Sequence, residues 1–141
     1  MATKGLMVWC VLILAASVSI AADGDLRLVE AVKSKDQQTV RSLLKQHADV
    51  NAAQADGTTA LDWAAHWNDL DTAKLLIGAG ANVNAATDYG VTALRLACTN
   101  GSAGMVKLLV SAGANVNVAL QRTGETVLMT CSRTGDAETV R

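Results

Sequence analysis

Imidazole and thiol groups do much of the proton transfer, nucleophilic attack and metal binding that side chains perform. This chain of 141 residues holds 2 histidines and 3 cysteines. No H-x-x-x-H or C-x-x-C spacing occurs, and no G-x-G-x-x-G loop is present to cradle a phosphate. No serine, threonine or cysteine is singled out beside a base as a nucleophile. The formal net charge is -1, from 12 basic and 13 acidic residues, so no clustered positive field attracts nucleic acid. The expectation is a chain that is not an enzyme, with no metal, no cofactor, no nucleic-acid partner and no small-molecule substrate.

The elements that would position any side chain follow from composition and repetition. Half of the residues are apolar, yet there is no Phe, 1 Tyr and 3 Trp, so Leu, Val, Ile and Ala must fill the core. Three stretches share a pattern: Gly57-Thr58-Thr59-Ala60-Leu61, Gly90-Val91-Thr92-Ala93-Leu94 and Gly124-Glu125-Thr126-Val127-Leu128. Their glycines stand 33 and 34 residues apart. A second series, Ala48-Asp49-Val50-Asn51, Ala81-Asn82-Val83-Asn84 and Ala114-Asn115-Val116-Asn117, recurs every 33 residues. Two motifs locked to one period mark a stack of structural repeats.

Within each period the apolar spacing is helical. In the second unit it predicts a short helix over about Ala60 to Trp67 and another over about Leu70 to Ile77, with Leu75, Leu76 and Ile77 on the buried side. Gly78 and Gly80 then end the second helix. Thr59, Thr92 and Thr126 precede first helices, where a hydroxyl can accept orphan amide protons. Thr59 with Asp62 has the form of a capping box.

The threonine-led first helix, the leucine-rich second helix and the closing Gly-Ala-x-x-Asn over Thr59 to Asn84 and Thr92 to Asn117 resemble the ankyrin repeat. The resemblance implies an all-α solenoid of helix-turn-helix units joined by hairpin loops, about three and a half repeats long. Its units run over 25–56, 57–89, 90–123 and a truncated 124–141. The family pattern is not kept everywhere. Ala60, Ala93 and Val127 stand where it has proline, and Asp62, Arg95 and Met129 where it has histidine. Asn68 stands where glycine is usual, as does His47. His47 and His66 thus fall on different parts of the unit, which separates them as metal ligands. The first repeat carries a polar surface suited to a terminal cap. Arg141 aligns with Lys107 and Lys74, in the middle of a second helix, so the chain reads as a fragment of a longer product.

The resemblance also implies a function, binding to a protein through a concave face of first helices and hairpin tips. On that face it places Ala55, Asp56, Thr58, Trp63, His66 and Trp67 in repeat two, and Asp88, Tyr89, Val91, Leu96, Thr99 and Asn100 in repeat three. In repeat four it places Arg122, Thr123, Glu125, Thr130, Arg133 and Thr134. Trp and Tyr are enriched in binding hot spots. Of the three rings, Trp63 is expected to lean partly on the neighbouring repeat. The competing reading makes these repeats a structural or regulatory part of a longer chain whose activity lies beyond residue 141. Cys98 and Cys131 lie on first helices of adjacent repeats; they could pair in an oxidising compartment, but read first as small apolar residues in alanine-like slots, because disulfide geometry is demanding. Asn100-Gly101-Ser102 has the form of a glycosylation sequon but falls in a tight turn.

Residues 1–22 differ from the rest. Lys4 is followed by an apolar run from Leu6 to Ala16 and by small residues up to Ala22. This is the order of a secretory signal, with Ser19-Ile20-Ala21 offering a cleavage site. A short uncleaved membrane anchor is the competing reading. The expected location is secreted or periplasmic, with no membrane association after cleavage. Mass spectrometry of the protein from its host should find an amino terminus at Ala22 or Asp23. An intact Met1 or Ala2 terminus in a soluble cytosolic fraction would contradict the signal.

Overall fold

The computed structural model describes residues 25–120 and 122–134. The expected signal segment and the end of the last repeat lie outside the described residues. Among the described residues seven helices follow one another: α1 (Arg27–Lys33), α2 (Gln37–Lys45), α3 (Ala60–His66), α4 (Leu70–Gly78), α5 (Ala93–Thr99), α6 (Ala103–Ser111) and α7 (Val127–Arg133). No helix among the described residues is long and apolar enough to cross a membrane.

Each helix begins for a local reason. Thr59, Thr92 and Thr126 accept hydrogen bonds from the amides of Asp62, Arg95 and Met129 at the starts of α3, α5 and α7. Asp36, Asp69 and Ser102 do the same for the second helices, through Thr39, Thr72 and Met105. Such caps satisfy amides that a helix start leaves without partners. Short helices of 7 or 9 residues need this help and the tertiary packing together. The turn inside each unit passes through the left-handed region at Lys35, Asn68 and Gly101, with φ of 60°, 55° and 63°. His47 is also left-handed, with φ 58°, where Gly80 and Gly113 take 94°. The residues standing in for glycine therefore adopt the glycine conformation, which is uncommon for other residues and most often taken by Asn, Asp and His.

Between units the chain folds back as a short hairpin. Single antiparallel bridges join Ala53 to Thr59, Ala86 to Thr92 and Ala119 to Thr126. Gly57 has φ 83°, and a Cβ there would lie 3.0 Å from the Cα of Thr87 in the next hairpin. The two hairpins are also tied by the Asp88 amide, which donates to the Asp56 carbonyl at 3.0 Å.

Packing runs from unit to unit. α3 contacts α1, α4 and α5, and α5 contacts α3, α6 and α7. The core is aliphatic: Leu28, Leu61, Leu76, Leu94, Met105 and Leu109 are its largest fully buried side chains. Asparagines stitch the loops. Asn51 accepts from the Asn82 amide at 2.7 Å and donates to the Gly80 carbonyl at 3.3 Å. One repeat later, Asn84 accepts from the Asn115 amide at 2.7 Å and donates to the Gly113 carbonyl at 3.1 Å.

Two sequence expectations are corrected. Leu75 is not on the buried side of α4: it is 37% exposed, while Leu76 is 0% and Ile77 half-buried. Three consecutive helical residues are spread over about 200° of arc, so they cannot all face the core. Cys98 and Cys131 are not two independent apolar fillers. Their Cα atoms are 4.5 Å apart across α5 and α7, and a disulfide joins them. The separation of 33 residues is one repeat, so equivalent slots in adjacent units are brought face to face. Leu76→Ala is expected to cost about 2–5 kcal/mol of stability, and Leu75→Ala less than about 1 kcal/mol. Urea melts of the two variants measure this, and equal losses would contradict the assigned faces.

Candidate functional site

A hollow of about 320 Å³ lies between repeats two and three. Its walls come from first helices and hairpin tips together. α3 supplies Asp62, Trp63 and His66, α5 supplies Leu96, and the hairpins supply Asp56, Thr58, Thr87, Tyr89 and Val91. The face on which the sequence places a binding surface is therefore indented. Trp63, His66, Tyr89 and Val91 meet at this hollow. Trp67 and Asp88 are exposed beside it, and neither is part of its lining.

Trp63 is half-buried and packs on the core, and its indole N–H donates to the Gln54 side-chain carbonyl at 3.2 Å. Trp67 follows one turn later, 39% exposed, with its ring stacked at 6.3 Å on that of Trp63. The His66 ring stands edge-on to both, at 5.7 and 4.8 Å. Residues i, i+3 and i+4 share one helix face, which is why these three rings cluster. Two ammonium groups already sit over them: Lys33 lies 5.4 Å from the Trp63 ring centre and Lys35 lies 4.1 Å from that of Trp67. Tyr89 is the most exposed ring, at 72%.

Asp62 is the chemically unusual member. Its side chain is 2% exposed. Oδ2 accepts from both the amide and the hydroxyl of Thr59, each at 2.9 Å, and the Thr59 hydroxyl accepts from the Asp62 amide. Oδ1 accepts no hydrogen bond from the described residues. Burial raises the carboxyl above its ordinary value, the Thr59 bonds oppose that, and the nearby Asp56 charge adds to it. Asp56 itself is held below the ordinary range by the Thr58 amide. Among the described residues no cationic side chain pairs with either carboxylate. The sequence marked Asp62 only as a cap. An acid inside the apolar run Ala60-Leu61-Asp62-Trp63-Ala64-Ala65 was the signal that it would be buried.

Repeat four presents a different surface. Glu125 lies between two arginines, with Arg95 at 3.0 Å and Arg133 at 2.9 Å. Arg95 occupies the place the family gives to histidine and uses it to reach across to the next repeat. Arg122 is exposed. Two residues expected on the binding face, Thr134 and Asn100, bond to the neighbouring repeat, and a third, Thr130, is buried. The Thr134 hydroxyl donates to the Cys98 carbonyl, and the Asn100 side chain donates to the carbonyls of Ala65 and His66. The sequon asparagine is thus engaged between repeats. Among the described residues no cluster of His, Cys, Asp or Glu could hold a metal ion.

Helix pairs stepping by one period, with hairpins between them and an indented face of first helices, define a helical-repeat solenoid. The sequence matches the family Ankyrin repeats (3 copies) over residues 4–87, 28–119 and 79–141, and the chain belongs to that family. Ankyrin repeats mediate protein–protein interaction and are typically non-catalytic. A search of curated proteins finds no match.

The raised Asp62 carboxyl gives a pH test with a definite sign. A buried carboxyl of raised affinity for protons favours the fold when protonated. Its cost therefore appears as pH rises from its unfolded value, near 3.8, through the folded one. Asp62→Asn removes that cost and keeps an oxygen for Thr59. Its stability relative to the parent should rise between about pH 3 and about pH 7. A difference that stays flat over the range would show that Asp62 is not desolvated in the fold.

Proposed function

We propose that this chain is a non-enzymatic protein-binding module that acts outside the cytoplasm after its amino-terminal segment is removed. The observation that carries the binding part is the hollow between repeats two and three with its exposed ring cluster. Trp67 and Tyr89 offer large rigid surfaces that the core does not use, at little cost in side-chain entropy on binding. Ankyrin repeats serve as binding surfaces in general. The extracytoplasmic part is supported by the charge, apolar run and small residues of positions 1–22 alone.

The binding face would comprise Trp63, His66, Trp67, Asp88, Tyr89 and Val91, extended toward Arg122 and Arg133 of repeat four. Arg133 would have to leave Glu125 or bring it along, because the two are already paired. The experiment is capture of the partner from the host's exported proteins, followed by affinity and melting measurements on single variants. Trp67→Ala and Tyr89→Ala are expected to weaken the complex by about 2 kcal/mol or more. The same changes should alter stability by about 0.5 kcal/mol or less. Trp63→Ala should lower both, since its ring packs on the core and bonds Gln54. If Trp67→Ala and Tyr89→Ala destabilise the fold as much as Leu76→Ala does, the rings belong to the core and the assignment of this face fails.

A further inference from the structure

The hollow carries negative charge that nothing in the described chain neutralises. Asp62 and Asp56 both line it, and among the described residues neither is in an ion pair. The lysine over the Trp63 ring, Lys33, pairs with Glu30 at 4.0 Å. Asp62 is almost wholly buried and still leaves one carboxylate oxygen without a donor. A buried acceptor of this kind costs stability until a donor reaches it. The rings of Trp63, His66 and Tyr89 and the aliphatic side chains of Val91 and Leu96 line the same hollow. Ring faces attract cations, and Lys33 and Lys35 show the same cluster doing so within the chain. A lining that combines aliphatic, aromatic and acidic side chains matches one kind of group, a long aliphatic stem ending in a positive charge.

We propose that the hollow between repeats two and three takes up a lysine or arginine side chain of the protein partner, its stem against Val91 and Leu96 and its charge donating to Asp62 and facing Asp56. This rests on the protein-binding reading above and specifies its chemistry. The volume is at the lower end for a ligand cavity, enough for one side chain rather than a folded element. A cation there completes the hydrogen bonding of Asp62 and offsets the repulsion between the two acids.

The test uses the 141-residue chain and simple probes. Butylguanidinium and butylammonium carry the stem and the charge, and butanol carries the stem alone. Nuclear magnetic resonance follows the Trp63 indole N–H and the Tyr89 ring as each probe is added. The cations should move both signals saturably, and butanol should bind at least about fivefold more weakly. Combining Asp62→Asn with Asp56→Asn should weaken the cations by about tenfold. Asp56→Asn alone, at an exposed residue outside the cap, should weaken them by about twofold to threefold. Equal binding of butanol and the cations would overturn the proposal, as would no saturable shift with the cations, or unchanged cation binding in the double variant with its melting profile intact. The outcome separates this proposal from the broader one. A partner that binds the double asparagine variant as well as the parent leaves the binding module standing and removes the basic side chain from this hollow.

Discussion

No helix pair in this chain can bury its own apolar surface. Each unit supplies helices of 7 and 9 residues, too short to hold their shape alone in water. Their leucines and alanines leave solvent only when the next unit closes over them, so Leu61 and Leu94 are covered by neighbours on both sides. Everything else depends on that stacking. The caps fix where each helix starts, the left-handed turns fix its angle, and the hairpins set the distance to the next unit. Stability in such a stack is close to a sum over adjacent interfaces. The disulfide between α5 and α7 belongs to the same logic, since it adds a covalent bond at one of those interfaces.

Stacking also leaves one face free to vary. The cap residue is threonine in repeats two, three and four, yet the position three residues later is Asp62, Arg95 and Met129 in turn. These three side chains do different things. Asp62 turns inward to Thr59, Arg95 reaches Glu125 of the following repeat, and Met129 is exposed. The scaffold is thus insensitive to the chemistry at a position that borders the proposed binding face. The hollow between repeats two and three acquires one of its two acids through one such exchange.

Much of the fold is legible in the sequence because the period is redundant. The Gly-x-Thr motif and the Ala-x-Val-Asn motif report the same step, so weak departures such as Asn68 and His47 do not obscure it. Facing within a helix is less legible. Leu75, Leu76 and Ile77 are alike in chemistry, and only the neighbouring helix decides which of them is covered. The disulfide was hidden for a related reason: two cysteines separated by one period are adjacent only after the units have been stacked. At the site, the ring residues were readable from their positions in the repeat. The burial of Asp62 and Thr130 and the bonds of Thr134 and Asn100 to the neighbouring repeat were not, because they arise only once the repeats are stacked.

The asparagine contacts have a consequence for how such a chain can change over generations. Asn51 and Asn84 each bond the backbone of the following unit, and the atoms they reach are equivalent. Duplicating or deleting one whole period would therefore return every such bond to a matching partner. An insertion of a few residues within the loops would break the pattern on both sides. Genetic variation that the structure tolerates best is quantised in whole repeats, so related genes should differ in copy number more readily than in the spacing inside a copy.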